Sequence, residues 1–162
     1  MTSTEKPISV TLVTGFLGSG KTTLLNHILK ESTGKRFAII ENEFGDFGVD
    51  GSLVNAPRES VFELNEGCIC CTVREDLLEV FEQLTHRLGE FDHVIIEASG
   101  LADPGPVMRI FEREPARSVY RLDGVVTVVD AAHIEESLDE ADICEDQIVF
   151  ADLLILNKVD TV

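Results

Sequence analysis

The chain has 162 residues, enough for one domain with a hydrophobic core, and 44% of them are hydrophobic, as in ordinary globular proteins. Its 13 basic and 30 acidic residues give a formal net charge of −17, which argues against a nucleic-acid partner because the phosphates would be repelled. The sequence has no run of about 18 apolar residues and no signal-peptide pattern at its start, so we expect a cytoplasmic protein with no membrane partner.

Strand patterns alternate with helix patterns along the chain, which predicts an α/β fold with a mostly parallel sheet and helices on both faces. The predicted strands cover residues 8–14, 36–41, 92–97, 124–129 and 153–156, with a short apolar stretch at 60–64. The predicted helices cover residues 21–30, a segment from the N-cap Thr72 to Leu88, a looser segment over 106–112 and a segment within 139–151. We expect residues 1–162 to form a single domain.

Residues 15–22 read Gly-Phe-Leu-Gly-Ser-Gly-Lys-Thr, the pattern G-x-x-x-x-G-K-T of a loop that binds nucleotide phosphates. The loop lies between a predicted strand and a predicted helix, as such a loop must. Glycines let consecutive backbone N–H groups point at the phosphates, Lys21 can reach the β- and γ-phosphates, and the Thr22 hydroxyl can ligate Mg²⁺. The predicted nucleotide contacts here are Gly15, Gly18, Ser19, Gly20, Lys21, Thr22 and Thr23.

The segment Asn157-Lys158-Val159-Asp160 follows the last predicted strand and has the form N-K-x-D. Guanine presents an N1–H and an N2 amino group side by side, and the Asp160 carboxylate can accept from both, whereas adenine has no such pair. Asn157 can tie the loop together or reach the base, and the Lys158 stem can lie over the ring. Together with the phosphate loop, this segment favours GTP over ATP as the cofactor.

Two further carboxylates are candidate site residues. Glu97 ends a buried strand, where an acidic residue can hold or orient the Mg²⁺ shell; the alternative is a helix-capping or surface carboxylate. Glu43 lies in the glycine- and acid-rich segment 41–51, at the carboxyl end of a parallel strand, where it can face the γ-phosphate or a metal; the alternative is a solvated turn. Asp130 also follows a strand, and we interpret it as structural rather than catalytic.

Three of the four cysteines, Cys68, Cys70 and Cys71, form a C-x-C-C cluster. Cytoplasmic thiols stay reduced, and three thiolates can supply three of the four ligands of a zinc ion. A helix that begins near Thr72 would lower the pKa of these thiols and favour thiolate. A water, Glu43 or a recipient protein would complete the coordination. The alternatives are a redox cluster and buried cysteines, and we interpret Cys144 as a core residue.

These motifs resemble the CobW-type metallochaperone GTPases, relatives of the hydrogenase- and urease-maturation GTPases. The matching segments are residues 15–22, 42–45, 66–71, 97–100 and 157–160. The resemblance implies a P-loop GTPase that uses GTP and Mg²⁺, binds zinc or cobalt at the cysteine motif and delivers the metal to client metalloproteins. It implies catalytic roles for Lys21, Glu97 and Glu43, with Glu43 in a switch loop that responds to both the metal and the γ-phosphate. A homodimer is one assembly that we consider.

Members of this family continue well past N-K-x-D, so we expect the nucleotide domain to be incomplete at its C-terminus and the family's C-terminal domain to be absent. The last strand is then expected to expose an apolar edge. Two other functions stay open at this point. One is a non-catalytic metal-binding module, and the other is a P-loop kinase that phosphorylates a small molecule.

Overall fold

A computed structural model of the chain describes residues 6–32, 34–41, 61–63 and 73–162. Its six strands are β1 (Ile8–Thr14), β2 (Phe37–Glu41), β3 (Val61–Glu63), β4 (His93–Glu97), β5 (Tyr120–Asp130) and β6 (Leu153–Asn157). Its α-helices are α1 (Lys21–Glu31), α2 (Val73–Thr85), α3 (Pro104–Met108), α4 (Ala116–Val119), α5 (Ile134–Glu140) and α6 (Asp142–Val149). Short 3₁₀ turns cover Arg109–Glu112 and Val159–Thr161.

The six strands form one sheet in the order β3-β2-β4-β1-β5-β6, and every pair of neighbours is parallel. Central strands of such a sheet are covered on both faces and therefore read as continuous apolar runs. The Val94-Ile95-Ile96 run of β4 is of this kind, and all three residues are buried. The sequence-based prediction of a parallel α/β sheet is confirmed.

Helices cover both faces of the sheet, as predicted. Successive residues of a strand point to opposite faces, so Ile39 and Ile40 of β2 belong to different cores. One core packs α2 against the sheet through Leu77, Val80, Phe81 and Leu84. The other core packs α1 through the fully buried Leu25. The two helices therefore pack on opposite faces of the central strands.

The chain reverses its direction across the sheet between β1 and β4. The connection after β1 leads towards β2 on one side, whereas the connection after β4 leads towards β5 on the other side. Ligands of open parallel sheets bind at such a switch point, outside the carboxyl ends of the strands. The segment 15–22 follows β1 and the segment 97–100 ends β4, so the fold brings the two predicted motifs to this crevice.

Strand β5 is longer than the sequence pattern predicted, because it begins at Tyr120 rather than Gly124. Its partner residues on β1 shift between Val10, which faces Leu122, and Thr11, which faces Gly124. Asp123 is the extra residue of this β-bulge. Charged residues interrupt the apolar pattern before the bulge, so only the buried second half of β5 was recognised as a strand.

The helices differ from the predictions in their bounds and in their number, since α4 and α5 were not predicted. Helix α3 begins at Pro104 rather than residue 106, because the Asp103 side chain accepts the Gly105 N–H at 2.8 Å and caps the helix start. Helix α2 ends at Thr85, so Leu88 lies beyond it and is exposed. Helix α5 was not predicted, since none of its residues is buried and it has no apolar stripe; α6 lies within the predicted segment 139–151.

Strand β6 forms the edge of the described sheet and is apolar on both faces. Leu153, Leu154 and Leu156 are 55%, 45% and 62% exposed, which agrees with the apolar edge that we expected there. None of the helices in the described ranges is long and apolar enough to span a bilayer. The predicted N-cap Thr72 lies outside the described residues.

Candidate nucleotide-binding site

The segment 15–20 forms a tight loop between β1 and α1. Gly15, Gly18 and Gly20 have φ angles of 139°, 71° and 104°, which side chains with a Cβ rarely adopt. Space is also restricted at the two ends of the loop. A Cβ on Gly15 would lie 2.2 Å from the Val128 carbonyl oxygen, and a Cβ on Gly20 would lie 2.2 Å from Asn157 Nδ2. The backbone conformation therefore favours glycine at all three positions, and close packing adds a second reason at Gly15 and Gly20 but not at Gly18.

Helix α1 presents an N-terminus suited to an anion. Gly20 is its N-cap, no described side chain caps it, and its first turn contains no acidic residue. The first N–H groups of a helix have no partner within the helix, and the helix dipole attracts negative charge there. The end of α1 can therefore receive a phosphate group.

Lys21 lies at the start of α1 and is 91% buried, with 9% of its surface exposed. Its Nζ donates to the carbonyl oxygens of Gly15 at 2.8 Å and Phe16 at 3.1 Å. Burial lowers the pKa of Lys21, and the nearby charge of Glu97 opposes this effect. The amine therefore lies against the loop backbone, and its predicted contact with the β- and γ-phosphates remains a prediction.

Thr22 and Glu97 meet at the carboxyl ends of β1 and β4. The Thr22 hydroxyl donates to Glu97 Oε1 at 2.8 Å, although 75 residues separate the two along the chain. A hydroxyl and a carboxylate are the hard oxygen ligands that Mg²⁺ prefers. The two side chains fit a magnesium ion by their chemistry, and their assignment to the magnesium shell remains a prediction.

The segment 157–160 contacts the phosphate loop directly. Asn157 Nδ2 donates to the Ser19 carbonyl oxygen at 2.9 Å, and Lys158 Nζ donates to the Gly18 carbonyl oxygen at 2.8 Å. Of the two roles considered for Asn157, the structure shows the one that ties the loop together. Asp160 lies in the following 3₁₀ turn and is exposed.

Asp130, at the end of β5, holds Lys158 in place. Its Oδ2 accepts from Lys158 Nζ at 2.7 Å and lies 3.1 Å from His133 Nδ1. Its Oδ1 accepts the Ala132 N–H at 3.1 Å. The hydrogen bond from Lys158 is the main reason that the pKa of Asp130 falls to about 2. Asp130 therefore has a structural role, as predicted, and that role is to support the segment 157–160.

The segment after Glu97 packs against the phosphate loop from the other side. A Cβ on Gly100 would lie 2.7 Å from the Leu17 backbone nitrogen. Gln147, from the middle of α6, donates through Nε2 to the Gly100 and Ala102 carbonyl oxygens at 3.1 and 3.2 Å. Gln147 was not recognised from the sequence, because no motif marks it. A polar residue beside the apolar positions of α6 was the pattern that could have indicated a buried hydrogen bond.

The remaining predicted site residues occupy different environments. Ser19 is buried and its backbone oxygen receives Asn157, whereas the Thr23 side chain lies on the exposed surface of α1. Glu43, Cys68, Cys70 and Cys71 lie outside the described residues, so their predicted metal site remains a prediction. No group of three His, Cys, Asp or Glu side chains within the described part of the chain is arranged to hold a metal ion.

The parallel sheet, the glycine loop before α1 and the Thr22–Glu97 pair define a P-loop nucleotide-binding protein. Residues 9–162 match the family model of the CobW/HypB/UreG nucleotide-binding domain, and the chain belongs to this family. The resemblance noted in the sequence is thereby confirmed.

Named relatives agree with this assignment. The zinc chaperone YjiA of Escherichia coli (strain K12) is 43% identical over 159 residues, which cover 95% of this chain and 50% of the relative. The zinc-regulated GTPase metalloprotein activator 1 of Schizosaccharomyces pombe is 44% identical over 168 residues, which cover 99% of this chain and 41% of the relative. The chain thus spans about half the length of the curated relatives that it matches.

A solved structure supports the same fold. The crystal structure of Zn(II)-bound YjiA GTPase from E. coli matches with a TM-score of 0.71 and 38% sequence identity. The match covers 97% of this chain and 51% of the YjiA chain. The fold described above is therefore that of a known GTPase of this family.

The contact between Gly100 and Leu17 leads to a prediction about stability. We expect Gly100→Ala to lower the free energy of unfolding by about 1–3 kcal/mol, because the added methyl group meets backbone atoms that cannot turn away. Gly124→Ala is the matched control, since its Cβ would approach Asp152 Oδ2 no closer than 3.6 Å. Urea unfolding measures both variants, and equal stability of the two would contradict the close packing of residue 100.

The lowered pKa of Asp130 leads to a prediction about pH. A carboxyl whose pKa is depressed in the folded state stabilises the protein above its usual pKa of about 4, and this contribution disappears as the pH falls towards about 2. We expect Asp130→Asn to be less stable than the wild type at pH 7, and the difference to shrink below pH 4. The control Asp139→Asn alters an exposed residue of α5.

Urea unfolding of the three proteins between pH 7 and pH 2.5 measures this effect. A difference between wild type and Asp130→Asn that stays constant over the whole range would show that the Lys158–Asp130 ion pair does not contribute to folding stability.

Proposed function

We propose that this chain is the nucleotide-binding part of a GTP-hydrolysing metallochaperone that binds Zn(II) or Co(II) and delivers it to a client metalloprotein. The observation that carries the proposal is the direct connection between the segment 157–160 and the phosphate loop, through Asn157 and Lys158. This connection joins the residues suited to a guanine base to the residues suited to its phosphates. The names of the relatives, a zinc chaperone and a zinc-regulated GTPase, support the same function.

Different residues around the loop would bind different parts of the nucleotide. Backbone N–H groups of the loop and of the α1 N-terminus would bind phosphate oxygens, and Lys21 would exchange its contacts with Gly15 and Phe16 for the β- and γ-phosphates. Thr22 and Glu97 would hold a magnesium ion, which would neutralise charge on the phosphates. Glu97 would also help to orient the attacking water.

Asp160 would select guanine. Asp160 is exposed and lies two residues after Lys158, whose Nζ donates to the Gly18 carbonyl oxygen in the phosphate loop. Its carboxylate is therefore available to accept from N1–H and the N2 amino group. Lys158 has a left-handed backbone conformation, with φ of 56°, which turns the chain sharply after Asn157. This turn supports a position for Asp160 beside the loop rather than along the strand direction.

The metal is the cargo of the proposed function. Cys68, Cys70 and Cys71 would bind it through thiolate sulfur, and Glu43 would contribute an oxygen ligand or respond to the γ-phosphate. The crystal structure of the Zn(II)-bound relative supports zinc as the metal. Since the cargo site and the nucleotide would share the segment that contains Glu43, each is expected to influence the affinity of the other.

The first test of this proposal concerns the nucleotide. We expect the purified protein to hydrolyse GTP in the presence of Mg²⁺ and to bind ATP weakly. Asp160→Asn should weaken GTP binding by about tenfold to a hundredfold, because one of two acceptors for guanine is replaced by a donor. Asp146→Asn, an exposed change on α6, should leave GTP binding unchanged.

Fluorescence titration with labelled nucleotides and release of inorganic phosphate measure these quantities. Unchanged preference for guanine in Asp160→Asn would favour a kinase that uses its P-loop for a different substrate. Zinc binding without any GTP turnover would instead favour the non-catalytic metal-binding module.

The second test concerns the coupling between metal and nucleotide. Zinc affinity, measured by competition with a chelating dye, should change when a non-hydrolysable GTP analogue is added, and zinc should change the affinity for that analogue by the same factor. Lys21→Ala should lose both the nucleotide and its effect on zinc. Equal zinc affinities with and without the analogue in the wild type would refute the coupling.

A further inference from the structure

Gln147 is a buried polar residue in the middle of α6, and only 1% of its surface is exposed. Its Nε2 group donates to the Gly100 carbonyl oxygen at 3.1 Å and to the Ala102 carbonyl oxygen at 3.2 Å. Both acceptors belong to the segment that follows Glu97. A single side chain therefore connects α6 to this segment across 45 residues or more of sequence.

The segment Glu97–Ala102 contacts the residues of the phosphate-binding motif 15–22 at two points. Glu97 accepts from the Thr22 hydroxyl at 2.8 Å, and the Gly100 backbone packs against Leu17, with no space for a methyl group between them. Gln147 reaches the same segment from α6. The segment is thus held between the loop and the helix, so a change in the Gln147 contacts would change its fit against the loop.

The position of Gln147 is itself fixed. The Thr127 hydroxyl, from β5, donates to the Gln147 carbonyl oxygen at 2.7 Å, and the hydrogen bond is buried. The side-chain oxygen Oε1, in contrast, is buried and has no hydrogen-bond partner among the described residues. Gln147 and residues 16–19 line the same cavity, which has a volume of about 210 Å³. Burying an oxygen without a partner costs free energy, and an apolar side chain of similar size would avoid this cost. What the amide contributes at this position is therefore the two hydrogen bonds that it donates.

We propose that Gln147 is a positioning residue that holds the Glu97–Ala102 segment against the phosphate loop and thereby favours a nucleoside triphosphate over a diphosphate. The inference rests on the proposed GTP-binding function and deepens it. A diphosphate depends mainly on the loop, Lys21 and the segment 157–160. Thr22 and Glu97 would hold the magnesium ion that accompanies a third phosphate, and those groups would order the segment that begins at Glu97.

Replacement of the amide by an apolar side chain of similar length tests the proposal. Gln147→Met removes both donated hydrogen bonds and keeps the volume, and Glu145→Gln is the matched control because Glu145 is an exposed residue of the same helix. We expect Gln147→Met to bind a non-hydrolysable GTP analogue about tenfold more weakly in Mg²⁺, while its affinity for GDP stays within about twofold of the wild type. Gln147→Leu serves as a second variant if Gln147→Met folds poorly.

The comparison between the two nucleotides separates positioning from a general loss of structure. An equal loss of affinity for GDP and for the GTP analogue would show a merely structural role, and unchanged affinity for both would show no role; either result overturns the proposal. Circular dichroism and thermal unfolding establish that each variant is folded before nucleotides are compared.

Hydrogen exchange distinguishes failure of this inference from failure of the proposed function. If the wild type binds no guanine nucleotide, the proposed function is wrong, and the role of Gln147 is decided on the nucleotide-free protein. Backbone amides of residues 98–102 should then exchange faster in Gln147→Met than in the wild type or Glu145→Gln, while amides of α1 remain protected. Equal exchange of residues 98–102 in all three proteins would overturn the inference.

Discussion

The described site depends on a glycine-rich loop that other parts of the sheet hold in shape. Three glycines with positive φ make the loop segment 15–20 expensive to order, because glycine loses more backbone freedom on folding than any other residue. Asn157 at the end of β6 and the following Lys158 offset this cost by donating hydrogen bonds to the loop carbonyl oxygens. On the other side, the segment that follows β4 packs against Leu17 of the loop. Residues suited to base, phosphate and magnesium are consequently parts of one connected unit.

Local positive charges and the dipole of α1, rather than the overall charge of the chain, make this unit suitable for an anion. The chain carries a net charge of −17, which disfavours the approach of a nucleotide. The uncapped N-terminus of α1, the buried amine of Lys21 and the Lys158 ammonium oppose that field at short range. Asp130 neutralises part of the Lys158 charge, which lowers the attraction of Lys158 for an anion. The same hydrogen bond fixes the orientation of the Lys158 side chain.

The elements with a strong apolar period were predicted well from sequence, and those without one were not. Strands β1, β2 and β4 and the buried stripe of α2 followed directly from their hydrophobic patterns. Helix α5 buries none of its residues, and the first half of β5 contains charged residues around a bulge, so neither carries a period of its own. The structure of α5 and of the first half of β5 depends on neighbouring elements. The hydrophobic pattern of a single segment does not contain this information.

Chemistry that is contiguous in the chain could be recognised from the residues alone: the glycine loop with Lys21 and Thr22, the N-K-x-D segment and the acidic end of β4. Which of these groups are in contact became clear from the folded chain. The contacts of Asn157 with Ser19, of Gln147 with Gly100 and of Lys158 with Asp130 span 138, 47 and 28 residues of sequence. Such pairs arise from the order of strands in the sheet, which brings distant strand ends together, whereas local periodicity specifies only the face that each element buries.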